Sequence, residues 1–374
     1  MKNKKLNFSR YMGAFITIVV GFVCGLIFVH YNNHIPKDHL WEKLIWPLGM
    51  LIALYLAMLF HMIVHETGHL VFGLLTGYRF SSFRILSFMF IKENKKIKLK
   101  KLSIAGTGGQ CLMSPPDMIE GKLPVLLYNL GGPIFNFISA IFFLLLFFFF
   151  SLHPIIAPGS LIFSLVGFIF TVLNGIPMRM GTVDNDGYNA YSMHNNPEAM
   201  RAFWLQMKIN ESISSGLRLK DMPDDWFYMP DEKSMENSMV AVMGVFYCNR
   251  LMDQHRFSEA AQSMDHILQI PSGMVDLHRN MMLCDRLYLE IIGNNDPKLI
   301  ALIYNDNLRK FMKSMQSFPS IIRTQYAYTK VIEKDTEQSD RLYAKFQKCA
   351  NTYPYQQEVD AEYEYINLAS DTAQ

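Results

Sequence analysis

A 31-residue apolar run from Ile45 to Leu75 constrains this chain more than any other feature of its sequence. As a helix the run is roughly 46 Å long, at 1.5 Å per residue, which exceeds the roughly 30 Å hydrocarbon core of a bilayer. Lipid accepts only segments whose backbone hydrogen bonds are satisfied internally, and a helix does this. The run therefore predicts a membrane-spanning helix within a mainly α-helical membrane domain.

Three ionisable residues, His65, Glu66 and His69, interrupt this run within five positions. A charged group near the centre of a membrane helix costs at least about 2.5–3.5 kcal/mol, so such residues usually have a function. The H-E-x-x-H spacing puts both imidazoles on one helix face, where they can bind one zinc ion with Glu66 beside them as a general base. Two satisfied core histidines are the alternative, which the apolar setting disfavours. His61 is expected to be a polar neighbour rather than a ligand.

Composition separates the chain into two parts. Of its 374 residues, 50% are hydrophobic and 18% charged, which is a lower charged fraction than in typical soluble domains. The apolar excess precedes Pro177, so we expect a membrane domain at residues 1–198 and a soluble domain at 199–374. The five cysteines include no C-x-x-C pair, which favours a reducing compartment for the soluble part.

Four apolar segments predict four spans, at about residues 12–29, 45–75, 123–152 and 160–176. Four Lys or Arg precede the first span and nine lie in the loop 78–122, against two between the first and second spans. The positive-inside rule places the basic segments, and hence the soluble domain, in the cytoplasm. We expect a multi-pass protein of a bacterial cytoplasmic membrane, with the histidines near its cytoplasmic face.

The basic loop contains a predicted β-hairpin at about residues 80–104, lying against the membrane domain. Residues 80–91 and 95–104 have strand character, and Lys92-Glu93-Asn94 is typical of a turn. Residues 106–109 and the prolines that follow predict a flexible exit. The lysines are expected to face membrane lipid rather than nucleic acid.

Residues 199–374 predict a helical domain. The predicted helices cover residues 238–254, 258–270, 273–292, 297–315, 319–334, 336–352 and 356–368. Helix pairs with a period somewhat above 34 residues are similar to tetratricopeptide repeats. An ordinary helical domain is the alternative, and a protein partner is expected for either.

Polar groups recur at the ends of the later spans. Asn129 and Asn136 flank a Gly-Gly-Pro sequence. Each asparagine is expected either to form a hydrogen bond between helices or to contact the substrate. After the fourth span come Asp184 and Asp186. A carboxylate there would complete a His-His-Asp zinc site.

The order of these motifs resembles the site-2 protease family of intramembrane zinc metalloproteases. The resemblance covers about residues 45–190. The motifs that carry it are His65-Glu66-Thr67-Gly68-His69, Gly132-Pro133-Ile134-Phe135-Asn136, Asn174-x-x-Pro177 and Asp186-Gly187.

The resemblance implies Zn²⁺ as the cofactor and assigns roles to particular residues. These are zinc ligands His65, His69 and Asp186, general base Glu66, and substrate-binding residues Asn174 and Asn136. The gap from Pro177 to Asp186 is longer than the family's usual spacing, so Asp184 stays open as the third ligand. Gly187 favours Asp186.

The predicted function is an intramembrane zinc metalloendopeptidase that cleaves membrane-anchored proteins or signal-peptide remnants near the cytoplasmic face. Its substrate would be a single-span membrane protein or a signal peptide. The alternative is a catalytically silent membrane scaffold that acts through its helical domain, which an intact H-E-x-x-H disfavours. A metal transporter fits less well, because the outer halves of the spans are apolar.

Overall fold

The chain forms two compact units, each built from two separate segments. The computed structural model describes residues 18, 21–23, 25–27, 29–30, 40–93, 96–150, 153, 155–179 and 183–373. The first unit combines Met1–Gly77 with Pro124–His194, and the second combines Tyr78–Leu123 with Asn195–Gln374.

Three long apolar helices dominate the first unit: α1 (Leu40–Leu75), α2 (Val125–Phe149) and α3 (Ile156–Gly175). Within the described residues, these are the helices long and apolar enough to cross a membrane. They match three of the predicted spans. The predicted span at 12–29 lies largely outside the described residues. A short helix, α4 (Asp186–Met193), follows α3.

Helices α1 and α2 approach each other closely at Gly68 and Gly131, where neither helix carries a side chain. A Cβ on Gly68 would lie 2.2 Å from the carbonyl oxygen of Gly131, and one on Gly131 would lie 2.5 Å from that of Gly68. Small residues let membrane helices pack backbone against backbone, where dispersion replaces the hydrophobic driving force that lipid removes. Because Gly68 directly precedes His69, this crossing puts α2 beside the histidine pair.

The basic loop folds into a four-stranded antiparallel sheet, in the order β3-β2-β1-β4. The strands are β1 (Arg79–Ile85), β2 (Phe88–Glu93), β3 (Lys96–Lys101) and β4 (Gly109–Ser114). The prediction of one hairpin was therefore wrong in two places. Residues 80–91 are not one strand, because the chain turns at Leu86, whose φ is 54°. The expected flexible exit instead supplies β4, which pairs with β1.

The sheet belongs to the second unit, and its two faces differ. Met89 and Ile91 are fully buried in the same core as the C-terminal helices. Alternate residues point to opposite faces of a strand. Phe90 and Leu99, which pair across β2 and β3, are accordingly exposed on the other face.

The rest of the second unit is helical, as predicted. Its helices are α5 (Pro197–Ser214), α6 (Ser238–Asp253), α7 (Phe257–Gln269), α8 (Asp276–Ile292), α9 (Pro297–Ile303), α10 (Asp306–Ser314), α11 (Pro319–Ala327), α12 (Thr336–Thr352) and α13 (Gln356–Thr372), with short 3₁₀ turns at Leu219–Asp221, Asp224–Trp226 and Ser234–Glu236 and a π-helical turn at Tyr328–Glu333. The predicted helix 297–315 is two helices, because the Asn305 side chain accepts hydrogen bonds from the Asn307 and Leu308 N–H groups and starts α10 anew.

A buried arginine connects three helices of this unit. The Arg323 guanidinium donates to Glu362 Oε2 at 2.8 Å and to Asp285 Oδ1 at 2.6 Å. It also lies 4.1 Å from the centre of the Tyr288 ring. Two carboxylates and an aromatic face compensate the desolvation of a fully buried cation.

Candidate metal centre

Three ligand atoms converge in the first unit. His65 Nε2 lies 3.1 Å from His69 Nε2, and Asp186 Oδ2 lies 3.0 Å from the first and 3.4 Å from the second. Two atoms bound tetrahedrally to zinc at 2.0–2.1 Å are roughly 3.3 Å apart. The observed separations fit that geometry. Among the described residues, these three are the His, Cys, Asp or Glu group arranged to hold a metal ion.

The chemistry of Asp186 also fits a cation. Its Oδ2 is buried and has no hydrogen-bond partner, although a buried carboxylate oxygen ordinarily has one. Burial by itself raises the pKa of this carboxyl, but the charge of the His69 and His65 imidazoles, when these rings are protonated, outweighs burial and holds the pKa below its usual range. The ionised carboxylate, which is the form that ligates a metal, is thus compatible with burial at this position.

The backbone of α2 orients His69. Its Nδ1–H donates to the Tyr128 carbonyl oxygen at 2.7 Å. A carbonyl only accepts, so Nδ1 carries a proton, and in the neutral ring the Nε2 lone pair faces His65 and Asp186. Such an outer hydrogen bond fixes the tautomer of a metal-binding histidine.

Asn185 holds Asp186 in place, and sequence reasoning missed it. Its Nδ2 donates to the carbonyl oxygens of Leu173 at 2.7 Å and Ile176 at 2.6 Å, which the end of α3 leaves free. Its Oδ1 accepts from the N–H groups of Met178 and Tyr188 and caps α4. An Asn directly before a helix start is the available signal for such a cap.

Asp184, the alternative ligand, points elsewhere. Its Oδ1 accepts a hydrogen bond from Arg179 Nε at 3.3 Å, and the same two residues form an antiparallel bridge. The structure thus brings Asp186, not Asp184, to the histidine pair.

The other candidate residues occupy distinct places. Glu66 is buried on α1 directly after His65. Asn174 donates back to the Phe170 carbonyl oxygen at 2.9 Å. Asn136 is fully buried with its amide 3.0 Å from His65 Nδ1 and 3.3 Å from His61 Nδ1. His61 lies outside the ligand cluster, as expected. Substrate contact by the two asparagines stays a prediction.

Gly132 leaves the space that the His65 ring occupies. A Cβ there would lie 2.5 Å from His65 Cε1. We expect Gly132→Ala to displace the ring and weaken zinc binding by about 10–100-fold, as loss of outer-shell support does. Gly159→Ala is the matched control, because a Cβ on Gly159 meets nothing within 4 Å. Zinc titration of both purified variants checks this, and equal affinities would contradict it.

Helices long and apolar enough to cross a membrane, together with a His-His-Asp cluster that could hold a metal ion, indicate a class, a membrane protein with a candidate metal site. A family model described as Peptidase family M50 matches residues 53–351. The chain belongs to this family, the site-2 protease family of metalloproteases. Comparison with curated proteins and with solved structures found no match.

Proposed function

We propose that this protein is an intramembrane zinc endopeptidase that cleaves single-span membrane proteins or signal-peptide remnants. The observation that carries the proposal is the convergence of His65 and His69, which lie with Glu66 on the otherwise apolar helix α1, with Asp186 at the start of α4. The donor set of two imidazoles and one carboxylate is typical of catalytic zinc, which keeps a fourth position open. Family membership supports a metalloprotease.

In peptide hydrolysis, three residues of the site would bind the metal and a fourth, Glu66, would transfer the proton. A bound zinc ion supplies Lewis acidity, which lowers the pKa of water to about 7 and polarises a carbonyl. His65, His69 and Asp186 would hold the ion, and Asp186 would offset part of its charge. Glu66 takes the proton of the attacking water and delivers it to the leaving amine. Burial of Glu66 keeps bulk water away from this transfer.

The substrate must be extended before it is cut, because a helix hides its carbonyls in hydrogen bonds. In the sheet, β3 is an edge strand. An unpaired edge can accept an extended peptide as an additional strand, with main-chain hydrogen bonds supplying affinity. We propose that β3 binds an extended segment of the substrate in this way. We propose separately that Asn174 contacts the substrate backbone.

The placement in the membrane is part of the proposal. The distribution of lysine and arginine supports a cytoplasmic amino terminus, a cytoplasmic helical domain and cleavage near the cytoplasmic face of a bacterial membrane. The helical domain would bind a protein partner. Its tetratricopeptide-like character is supported by the succession of helix pairs from α6 to α13.

Metal content and cleavage of a tagged single-span substrate test the proposal together. Purified wild-type protein should contain about one zinc per chain and cut the substrate in membranes or detergent, because all three ligands are in place. His65→Ala should lose both properties, since removal of one ligand leaves two. A wild-type protein that folds but neither binds zinc nor cuts would support the scaffold alternative and contradict the proposal.

A further inference from the structure

A series of buried polar groups runs from the backbone of α3 to His65 Nδ1, the nitrogen that does not face His69 and Asp186. His61 Nε2 lies 2.8 Å from the Phe163 carbonyl oxygen. The other nitrogen of His61 faces the Asn136 amide, and the far side of that amide faces His65 Nδ1. His61 and Asn136 are both fully buried. Each contact therefore constrains where the protons of the next group lie.

The direction of the hydrogen bond between His61 and the Phe163 carbonyl oxygen is determined. A carbonyl oxygen only accepts, so His61 Nε2 carries a proton and donates it. A neutral His61 then has a bare Nδ1, which needs a donor. Asn136 can supply that donor only through its NH₂ group.

The opposite orientation of the Asn136 amide fails on two counts. If its oxygen faces His61, as the structure has it, both nitrogens of His61 must donate, and the ring is a cation. Aromatic rings within 6.4 Å, centre to centre, surround that ring, and a cation there is costly in a membrane. These rings are Phe60, Phe143, Phe163 and Phe170. The NH₂ group would also donate to His65 Nδ1 and force the His65 proton onto Nε2, which faces His69 and Asp186.

The two orientations of a side-chain amide fill the same space and exchange only oxygen and nitrogen. With the NH₂ group of Asn136 towards His61, every group is neutral and satisfied. The Asn136 oxygen then accepts from His65 Nδ1–H, and the Nε2 lone pair of His65 is free for metal. His69 reaches the same tautomer through Tyr128.

We infer that His61 and Asn136 are positioning residues that fix His65 in its metal-binding tautomer. The inference rests on the proposed metal site and deepens it. Gly167 on α3 supports a positioning role for His61, because a Cβ at Gly167 would lie 2.5 Å from His61 Cε1. The missing side chain of Gly167 thus leaves the space that the His61 ring occupies. Asn136 acts through His65, so its role differs from substrate contact.

The test is metal affinity of the full-length protein, measured without substrate. Metal-free protein is titrated with Co²⁺, whose visible spectrum reports tetrahedral binding, and with Zn²⁺ against a chromogenic chelator. Asn136→Leu should weaken binding by about 10–100-fold, as loss of an outer-shell partner does. Asn136→Asp should stay within roughly threefold of wild type, because its carboxylate still accepts from His65 Nδ1–H.

The role of His61 is tested in the wild-type protein and in the Asn136→Asp variant. His61→Phe should weaken binding by about tenfold in the wild type, because Asn136 loses the acceptor that orients it. The same change should have no effect beside Asn136→Asp, since a carboxylate has no NH₂ group to orient. Ser164→Ala, a buried polar change on α3, is the control and should bind like wild type.

Two results would overturn the inference. One is folded Asn136→Asp protein that binds as weakly as Asn136→Leu, and the other is folded His61→Phe protein with wild-type affinity. If His61→Phe does not fold, the comparison of the two Asn136 variants decides alone. Wild-type protein that binds no metal would instead overturn the proposed function, so the two failures are distinguishable.

Discussion

Glu66→Gln is expected to reduce cleavage of a single-span substrate by about 10²–10⁴-fold, the usual contribution of a general acid–base group. The amide keeps the shape of the side chain but cannot take a proton from water. Zinc content should be unchanged, because none of the three converging ligand atoms belongs to Glu66. The measurement is the initial rate of cleavage in membranes, together with metal analysis of the same preparation.

The control for Glu66 is its neighbour in the motif. Thr67 donates its hydroxyl proton to the Ile63 carbonyl oxygen at 2.7 Å within its own helix. Thr67→Val should therefore keep activity close to wild type. Undiminished cleavage by Glu66→Gln would remove Glu66 from the mechanism. In cells, membrane proteomics of the Glu66→Gln strain should show uncut substrate fragments accumulating, which would identify the substrate.

Asp186→Ala and Asp184→Ala form a second pair with opposite expected results. Asp186→Ala should lower zinc affinity by more than the roughly 10–100-fold that loss of an outer-shell partner costs, because it removes a ligand. Cleavage should fall with it. Asp184→Ala breaks the ion pair with Arg179, in which the Arg179 side chain is 36% exposed and the Asp184 side chain 5%. Asp184 does not belong to the cluster of converging ligand atoms, so zinc affinity should not change.

The comparison uses zinc titration and thermal unfolding of both variants. The thermal unfolding measurement is needed because Asp186 is also the first residue of α4. If α4 failed to form in the variant, zinc affinity would fall indirectly. Asp186→Asn separates these effects, because it retains the helix start but provides a neutral ligand. Equal loss of zinc in Asp184→Ala and Asp186→Ala would contradict the assignment of the third ligand.

The histidine face, the spans and the helical domain could be predicted because each depends on residues close in sequence. Helical spacing alone puts His65 and His69 on one face. Length and apolar composition predict the spans from 45 to 176. The number of strands in the sheet was predicted less well, because β4 pairs with β1 across a turn-rich stretch of chain. In β4 the alternation of buried and less buried residues, with Cys111 and Met113 buried, is short and gives little local signal.

Helix periodicity is a local property, so the order of residues was enough to establish that two imidazoles and a glutamate lie on one apolar helix. Which aspartate joins them depends on how distant segments pack in the folded chain. That choice follows from Asn185, which binds carbonyl oxygens left free where α3 ends and so turns Asp186 towards α1. The partners of Asn136 were likewise decided by packing, since the residues it joins lie 71 and 75 positions away along the chain.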